Sequence, residues 1–290
     1  MKPPPFRYQR AETLDQALLL LSAEGEAAKL LAGGQSLMPL LNFRLLRPAV
    51  LIDINHVAGL AGISETERGL RIGAMARHAM IAEAAPIMRW FPLIAAAMED
   101  VGHPAIRCRG TIGGSLAQAD PAAEWPLLAV LLDARIETRS PRGEGGYEAA
   151  SFFRSALTTA LAADEIITGV EFPYLAPGSG WGFAELSRRH GDFALAAVAV
   201  TLAREEGRAR GVRIAMLGGG DTPRRAGAAE AALEGEAPDA ARLAAAIAAL
   251  RAAADPHGDL HASASYRREL LGVLAGRAIT DAWRRAGGQA

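Results

Sequence analysis

The chain has 290 residues, a formal net charge of −1, and half of its residues are hydrophobic, enough to bury a large core and divide into two or three compact units. A single cysteine, Cys108, excludes a disulfide framework, a CxxC zinc site and a cysteine-ligated iron–sulfur cluster within the chain. No stretch reaches transmembrane length, and arginines scattered among acids, with Lys2 and Lys29 the only lysines, form no basic stripe for nucleic acid.

The start, Met1-Lys2-Pro3-Pro4-Pro5, lacks the pattern of a signal peptide, so the cytoplasm is the expected location. Thr13-Leu14-Asp15-Gln16 has capping-box spacing and predicts a helix with Leu14, Ala17, Leu18 and Leu21 on one face, ended by Gly25. Lys29 to Ala32 reads as a buried strand running into Gly33-Gly34. A helix from Leu37 to Leu46 follows, with Pro39 in its first turn, then a strand from Ala49 to Ile54. Strand, glycine turn, helix and strand, with Asp53 about 20 residues after the glycines, invite a Rossmann reading. The turn lacks the G-x-G-x-x-G spacing, so Asp53 is expected to be a strand-end residue.

Leu70 to Ala74 predicts a strand, followed by helices near His78–Ala85 and Leu93–Val101. Ile106 to Gly110 leads into a second Gly-Gly turn. Cys108, between Arg107 and Arg109, is expected to be a buried small hydrophobe. Asp120 to Pro126 is polar and turn-rich, Leu127 to Leu132 apolar, Ile136 to Ser140 extended, and 141–147 a Pro/Gly-rich turn. Phe193–Ala203 and Arg208–Leu217 predict a β-hairpin. Gly218-Gly219-Gly220 is not a P-loop, since no Lys-Ser/Thr follows. Arg224–Leu233, Pro238–Ala254 and Ser265–Ala286 predict helices. Of the six histidines only His257 and His261 approach a ligand spacing, and they lie in a polar loop, so no metal site is expected, nor does a Ser-His-Asp pattern appear.

The two Gly-Gly segments, Ala32-Gly33-Gly34-Gln35-Ser36-Leu37 and Thr111-Ile112-Gly113-Gly114-Ser115-Leu116, each carry a serine directly after the glycines or one residue on. Paired glycines let a backbone take positive φ and approach a ligand closely, with successive N–H groups and a hydroxyl converging on an anion. Two such turns in one chain point to a ligand with more than one phosphate, a dinucleotide.

These segments, with Ile106–Leu116, Asp120–Pro126, Asp164–Ile167 before Glu171-Phe172-Pro173, Ser187–Ala194 and Ser265–Arg268, follow one another in an order that resembles the FAD-binding medium subunit of the molybdenum hydroxylases, the group of aerobic carbon monoxide dehydrogenase and xanthine dehydrogenase. The resemblance implies an α+β chain: a two-subdomain FAD-binding fold of the PCMH type, vanillyl-alcohol-oxidase-like, over 1–56 and 57–175, then a C-terminal α+β flavoprotein domain over 176–290. It implies non-covalent FAD, the pyrophosphate on Gly33, Gly34, Gln35 and Ser36 flanked by Leu31, Ala32 and Leu37. Thr111, Gly113, Gly114 and Ser115 would hold the pyrophosphate and ribityl side. Glu124 would bind flavin hydroxyls, Ile167 would pack on the isoalloxazine, and Val101 and Phe193 would complete the site. No residue is implied as a catalytic acid or base on the organic substrate. The implied partners are a large molybdopterin subunit and a small [2Fe–2S] subunit, in a heterotrimer or its dimer, in the cytoplasm or at the inner face of the membrane. In that assembly, electrons from the [2Fe–2S] subunit pass through the flavin to an external acceptor.

Several positions depart from the family pattern. Gln35 stands where some relatives have His, Cys108 replaces a frequent Asn, Glu185 lies where relatives often place a lysine, and Phe193 stands where Tyr is common. Two other functions fit the residues: a stand-alone FAD oxidoreductase, and a non-redox nucleotide-binding scaffold.

Overall fold

The computed structural model describes residues 2–287, built around three main sheets. The first holds β1 (Arg7–Arg10), β2 (Ala28–Leu31) and β3 (Val50–Asp53) in the order β1-β3-β2, all parallel. Helix α1 (Leu14–Glu24) starts where Thr13 Oγ1 accepts from the Gln16 N–H at 3.1 Å, and Gly25, at φ 54, ends it. Ala17, Leu18 and Leu21 face the core, as their spacing predicts. Helix α2 (Leu37–Asn42) is shorter than predicted because Arg44 turns the chain at φ 59. The strand–helix–strand crossover from β2 through α2 to β3 is therefore real, but it belongs to a three-stranded sheet.

The second sheet comprises β4 (Ile63–Glu65), β5 (Gly69–Gly73), β6 (Arg135–Ser140), β7 (Gly143–Glu148) and β10 (Ile166–Pro173), ordered β4-β5-β10-β6-β7. The strands β8 (Phe153–Ser155) and β9 (Thr158–Thr159) pair beside it. The region predicted as a turn at 141–147 contains the edge strand β7, and only Pro141 and Arg142 lie between Ser140 and its partner Gly143. Three short helices, α3 (His78–Glu83), α4 (Ala85–Trp90) and α5 (Pro92–Ala97), cover the sheet. Pro86 and Pro92 each sit in a first turn, so they open new helices and break longer ones. The helix expected over Leu93–Val101 thus ends at Ala97. Helices α6 (Pro104–Arg107), α7 (Ile112–Gln118), α8 (Glu124–Leu131) and α9 (Ala149–Phe152) follow. Every residue of α8 is buried, so the apolar run starting at Leu127 is a central helix that begins inside the segment read as a turn.

The third sheet is an antiparallel meander of β11 (Gly180–Ser187), β12 (Ala194–Glu205), β13 (Arg208–Leu217) and β14 (Arg224–Arg225). Glu206 and Gly207 take φ 49 and 76, the left-handed pair that a two-residue hairpin requires. Helices α10 (Gly227–Leu233), α11 (Ala240–Ala253) and α12 (Ala264–Ala286) complete the chain. The first of them starts three residues later than predicted, because Arg224 and Arg225 pair with Met216 and Ala215. At Gly182, the carbonyl of Ala278 occupies the place a Cβ would take, so α12 lies directly on the sheet backbone.

The third sheet is apolar on both faces. Val198, Val200, Ile214 and Met216 pack with Leu271, Leu274 and Ala278 of α12. Ala197, Ala199, Ala215 and Leu217 join the core built around α8 and the second sheet. Asp133 clamps the same boundary, accepting from Arg213 and Arg225 at 3.0 Å each.

Candidate functional site

Strand β2 delivers the chain into Gly33 and Gly34 at the edge of the first sheet, opposite the segment that leads into α7. A Cβ on Gly33 would collide with the carbonyl oxygen of Arg109 and lie 2.8 Å from Gly110 Cα, and one on Gly114 would lie 3.8 Å from Ala32 Cβ. The first glycine segment is thus packed against the backbone that leads into the second, some 80 residues on in sequence.

They are not equivalent turns. Gly34 takes φ 74, the positive value expected of it. Among the described residues, the backbone N–H groups of Gly33, Gly34, Gln35 and Ser36 donate to no protein acceptor. The second segment is instead the first turn of α7. Thr111 caps it by accepting from the Gly114 N–H at 3.1 Å, the Gly113 N–H donates to Ala74 O at 2.8 Å, and the Ser115 N–H donates to Thr111 O. Its glycines therefore serve close approach, Gly113 resting on Ala74, and its backbone donors are consumed. The expectation of two convergent N–H turns is corrected to one such turn and one close-packed wall, to which Ser115 adds a hydroxyl.

A polar network underneath holds the wall to the turn. Tyr8 Oη donates to Asp53 Oδ2, and Asp53 Oδ1 accepts from the backbone and side chain of Asn55 at 2.8 and 2.6 Å. The Asn55 amide also donates to the carbonyls of Leu31 and Ala32, the latter at 2.9 Å. Arg77 then bridges Asn55 Oδ1 to the Arg109 carbonyl. Burial pushes the Asp53 carboxyl up, but the bonds from Tyr8 and Asn55 outweigh it and hold it below the usual carboxylate range. Asp53 is thus the strand-end residue its spacing suggested. On the other side, His78 Nδ1 accepts from Trp125 Nε1 at 2.9 Å, leaving the ring proton on Nε2. Burial, with Arg77 and Arg107 nearby, lowers the His78 pKa to about 4. The ring fills the space a side chain on Gly110 would need, 2.6 Å from that Cβ position.

Arg77→Met removes this bridge and leaves two acceptors without a donor, at a cost of about 1–3 kcal/mol. The expected result is a melting point lower by roughly 2–10 °C and FAD affinity about tenfold weaker as the wall drifts from the turn. Thermal unfolding and a flavin-fluorescence titration read the two effects. Unchanged affinity in a destabilised protein would show that the bridge serves stability alone.

Beyond the glycine segments, Val101 and Ile167 are buried in the core that adjoins α7. The ladder of β10 slips between Ile167 and Gly169, and the extra residue, Thr168, accepts from the N–H of Ala74. Phe193 is exposed, at the start of β12. Leu31, Ala32 and Leu37 are half-buried beside the turn. Cys108 is exposed, against the expectation of a buried hydrophobe, because it caps the single turn α6 on the surface.

Acidic side chains gather where α8 meets the third sheet. Glu124, at the start of α8, is 7% exposed, and no side chain pairs with its carboxyl among the described residues. Burial pushes it well above the carboxylate range, with Asp100 and Asp120 adding repulsion. Burial also raises Asp100 and Asp120. Glu185 on β11 is raised furthest, by burial and by the charges of Glu124 and Asp100, and both of its oxygens are buried and unpartnered. The Tyr8–Asp53, Asn55–Arg77 and His78–Trp125 links carried no sequence signal, since their members stand 22 to 47 residues apart.

The donor set suits a dinucleotide diphosphate with sugar hydroxyls: four free backbone N–H groups in one turn, a wall that a single Cβ would displace, and a buried carboxyl with no side-chain partner. Comparison with known proteins agrees. Residues 4–175 match the family model described as the FAD binding domain in molybdopterin dehydrogenase, and residues 181–282 match the CO dehydrogenase flavoprotein C-terminal domain. The chain is 42% identical over 288 residues to the 6-hydroxypseudooxynicotine dehydrogenase complex subunit alpha of Paenarthrobacter nicotinovorans, covering 99% of this chain and 97% of that one. It is 41% identical to the nicotine 6-hydroxylase medium subunit of the same organism, covering 97% and 99%. Among solved structures it superposes on a carbon monoxide dehydrogenase chain from Hydrogenophaga pseudoflava with a TM-score of 0.96 and 36% identity, covering 98% and 99%.

Proposed function

The chain belongs to the FAD-binding subunits of the molybdenum hydroxylases, and from that premise we propose how its residues hold the cofactor and which partners it serves. It is an oxidoreductase subunit, and FAD is its cofactor. The observation that carries the site is the run of free N–H groups from Gly33 to Ser36, pressed against Arg109 and Gly110.

In this reading the N–H groups of Gly33, Gly34, Gln35 and Ser36 bind the pyrophosphate, with the Ser36 and Ser115 hydroxyls beside them. Thr111, Gly113 and Gly114 form the wall against which the chain of the cofactor lies, and Leu31, Ala32 and Leu37 exclude water from its edge. Glu124 accepts from sugar or ribityl hydroxyls. Val101 and Ile167 supply apolar contact, and Phe193 covers the outer side. Once bound, FAD supplies one- and two-electron chemistry; the protein supplies position and electrostatics. We assign residues 1–56 and 57–175 to the two halves of the cofactor site and 176–290 to the C-terminal flavoprotein domain.

The partners in this proposal are a [2Fe–2S] subunit that delivers electrons and a large molybdopterin subunit that oxidises the substrate, in a cytoplasmic complex. The relatives named as complex and medium subunits support a multi-subunit assembly. No helix among the described residues is long and apolar enough to cross a membrane.

The visible spectrum of the purified chain tests the reading. FAD released on denaturation in near one-to-one ratio is the expected result, with iron- and molybdenum-containing subunits co-purifying when the full complex is expressed. A colourless protein that takes up no added FAD would overturn the site assignment. A stable coloured chain that oxidises a small substrate alone would overturn the partners.

A further inference from the structure

Alternation along β11 puts Trp181, Phe183 and Glu185 on one face of the third sheet and Gly180, Gly182 and Ala184 on the other. Gly180, Gly182 and Ala184 meet α12, while Trp181 and Phe183 pack into the core shared with the second sheet. Glu185 therefore points the same way, towards α8, and its partner across the ladder is Ala197, which can give it no hydrogen bond. Both of its oxygens are buried and unpartnered. An isolated buried carboxylate is far costlier than a buried carboxylic acid.

The charged groups that act on it are acidic, with histidines beyond them. Glu124 faces it from α8 and Asp100 from the loop after α5, while Asp120, on the loop before α8, lies near Glu124. His190, on the loop after β11, lies 3.6 Å from Asp100, and Gly191 rests on His103. Helix α5 itself, Pro92–Ala97, contributes only apolar side chains. No arginine or lysine pairs with Glu124 or Glu185 among the described residues.

We propose that Glu185 and Glu124 act as one proton-holding pair at the cofactor site and that this pair makes FAD retention pH-dependent. While the pair keeps a proton, one carboxyl accepts from the cofactor hydroxyls and the other stays neutral and can remain buried. When that proton leaves to solvent, two carboxylates share a dry site with Asp100, the site opens to hydrate them, and the cofactor is released. Two like charges in such a site cannot both ionise without one being strongly disfavoured. Glu185 thereby acts as a positioning residue through Glu124. The inference rests on the assignment of Glu124 to the cofactor hydroxyls.

The test is the dissociation constant of FAD for the apoprotein, read by flavin fluorescence from pH 6.5 to 9.5, for wild type, Glu185→Gln and Glu185→Met. In wild type it is expected to rise at least tenfold across that range. Glu185→Gln keeps a neutral donor that does not titrate and is expected to change less than threefold, so titration of the flavin itself is common to both curves. Thermal unfolding of the apoproteins checks that each variant folds and gives an independent sign. A carboxyl whose folded-state pKa is raised contributes stability fully at acid pH and loses it as pH rises through that value. The wild-type melting point should therefore fall towards pH 9.5 more than that of either variant. A flat wild-type profile, an equal slope in Glu185→Gln, or a folded Glu185→Gln that binds no FAD would overturn the pair. A wild-type protein that binds no FAD at any pH would instead overturn the site assignment on which it rests.

Discussion

Gly33→Val is expected to yield a folded protein that retains no FAD. The new side chain has nowhere to go: Arg109 O and Gly110 Cα occupy the position of its first carbon, and both are backbone atoms that no rotamer change can move. The turn and the wall must separate by about an ångström or more to restore ordinary contact distances. That displacement moves the turn that carries the four free N–H groups of Gly33 to Ser36. We expect affinity to fall by roughly 100-fold, about 2.8 kcal/mol, or more, with the flavin absorbance of the purified variant close to zero. Gly114→Val should do less, because its nearest neighbour is the side-chain hydroxyl of Thr111 at 2.8 Å, and displacing it costs the cap of α7 and no backbone shift between the segments. A Gly33→Val protein that is as yellow as wild type would remove the turn from the cofactor site.

Trp125→Ala should have the largest effect on stability. The indole is 1% exposed, packs with His78 and Phe172, and belongs to a helix buried on every side. Truncating such a side chain costs about 3–5 kcal/mol, and here it also leaves His78 Nδ1 without its donor. The melting point is expected to drop by roughly 10 °C or more, with FAD lost in parallel because His78 holds Gly110. The same histidine makes the wild-type protein acid-sensitive. The native state holds the ring neutral, with its pKa lowered to about 4, while an unfolded histidine takes a proton near 6.5. Stability is therefore lost as pH falls from about 6.5 towards 4. A Trp125→Ala protein melting within a few degrees of wild type would mean that the core around α8 collapses to fill the space.

What could be read from the sequence was local. Thr13 with Gln16, the apolar runs of β12 and β13, and the Glu206-Gly207 turn each state their structure within a few residues, and each formed as expected. Thr111 states its structure in the same way, as a helix cap, but the glycines that follow it disguised the first turn of α7 as a loop. Strand β7 was hidden by its glycine content, and it is recognisable as a strand only through its pairing with β6. The site was legible as two glycine segments but not as an assembled cradle. The contacts that join the segments, Arg77 to Asn55 and to Arg109, exist only after three separate stretches of chain have met. Glu185 drew notice as a departure from a family pattern; its lack of any partner is a property of packing, which one strand's residues cannot declare.

The apolar character of both faces of the third sheet bears on how this protein can be divided. Its alanine- and leucine-lined face is completed by α8, so a fragment ending near residue 175 would bare that helix to water, and a fragment starting there would bare the sheet. Neither piece is a self-sufficient module, despite the clean break between the stretches that match two separate family models. Exchange of the C-terminal part between relatives would thus be constrained by shape matching at α8, Ala197, Ala199 and Leu217 rather than by the linker. Recombination that respects those contacts transplants the C-terminal part whole; recombination that ignores them leaves both faces bare.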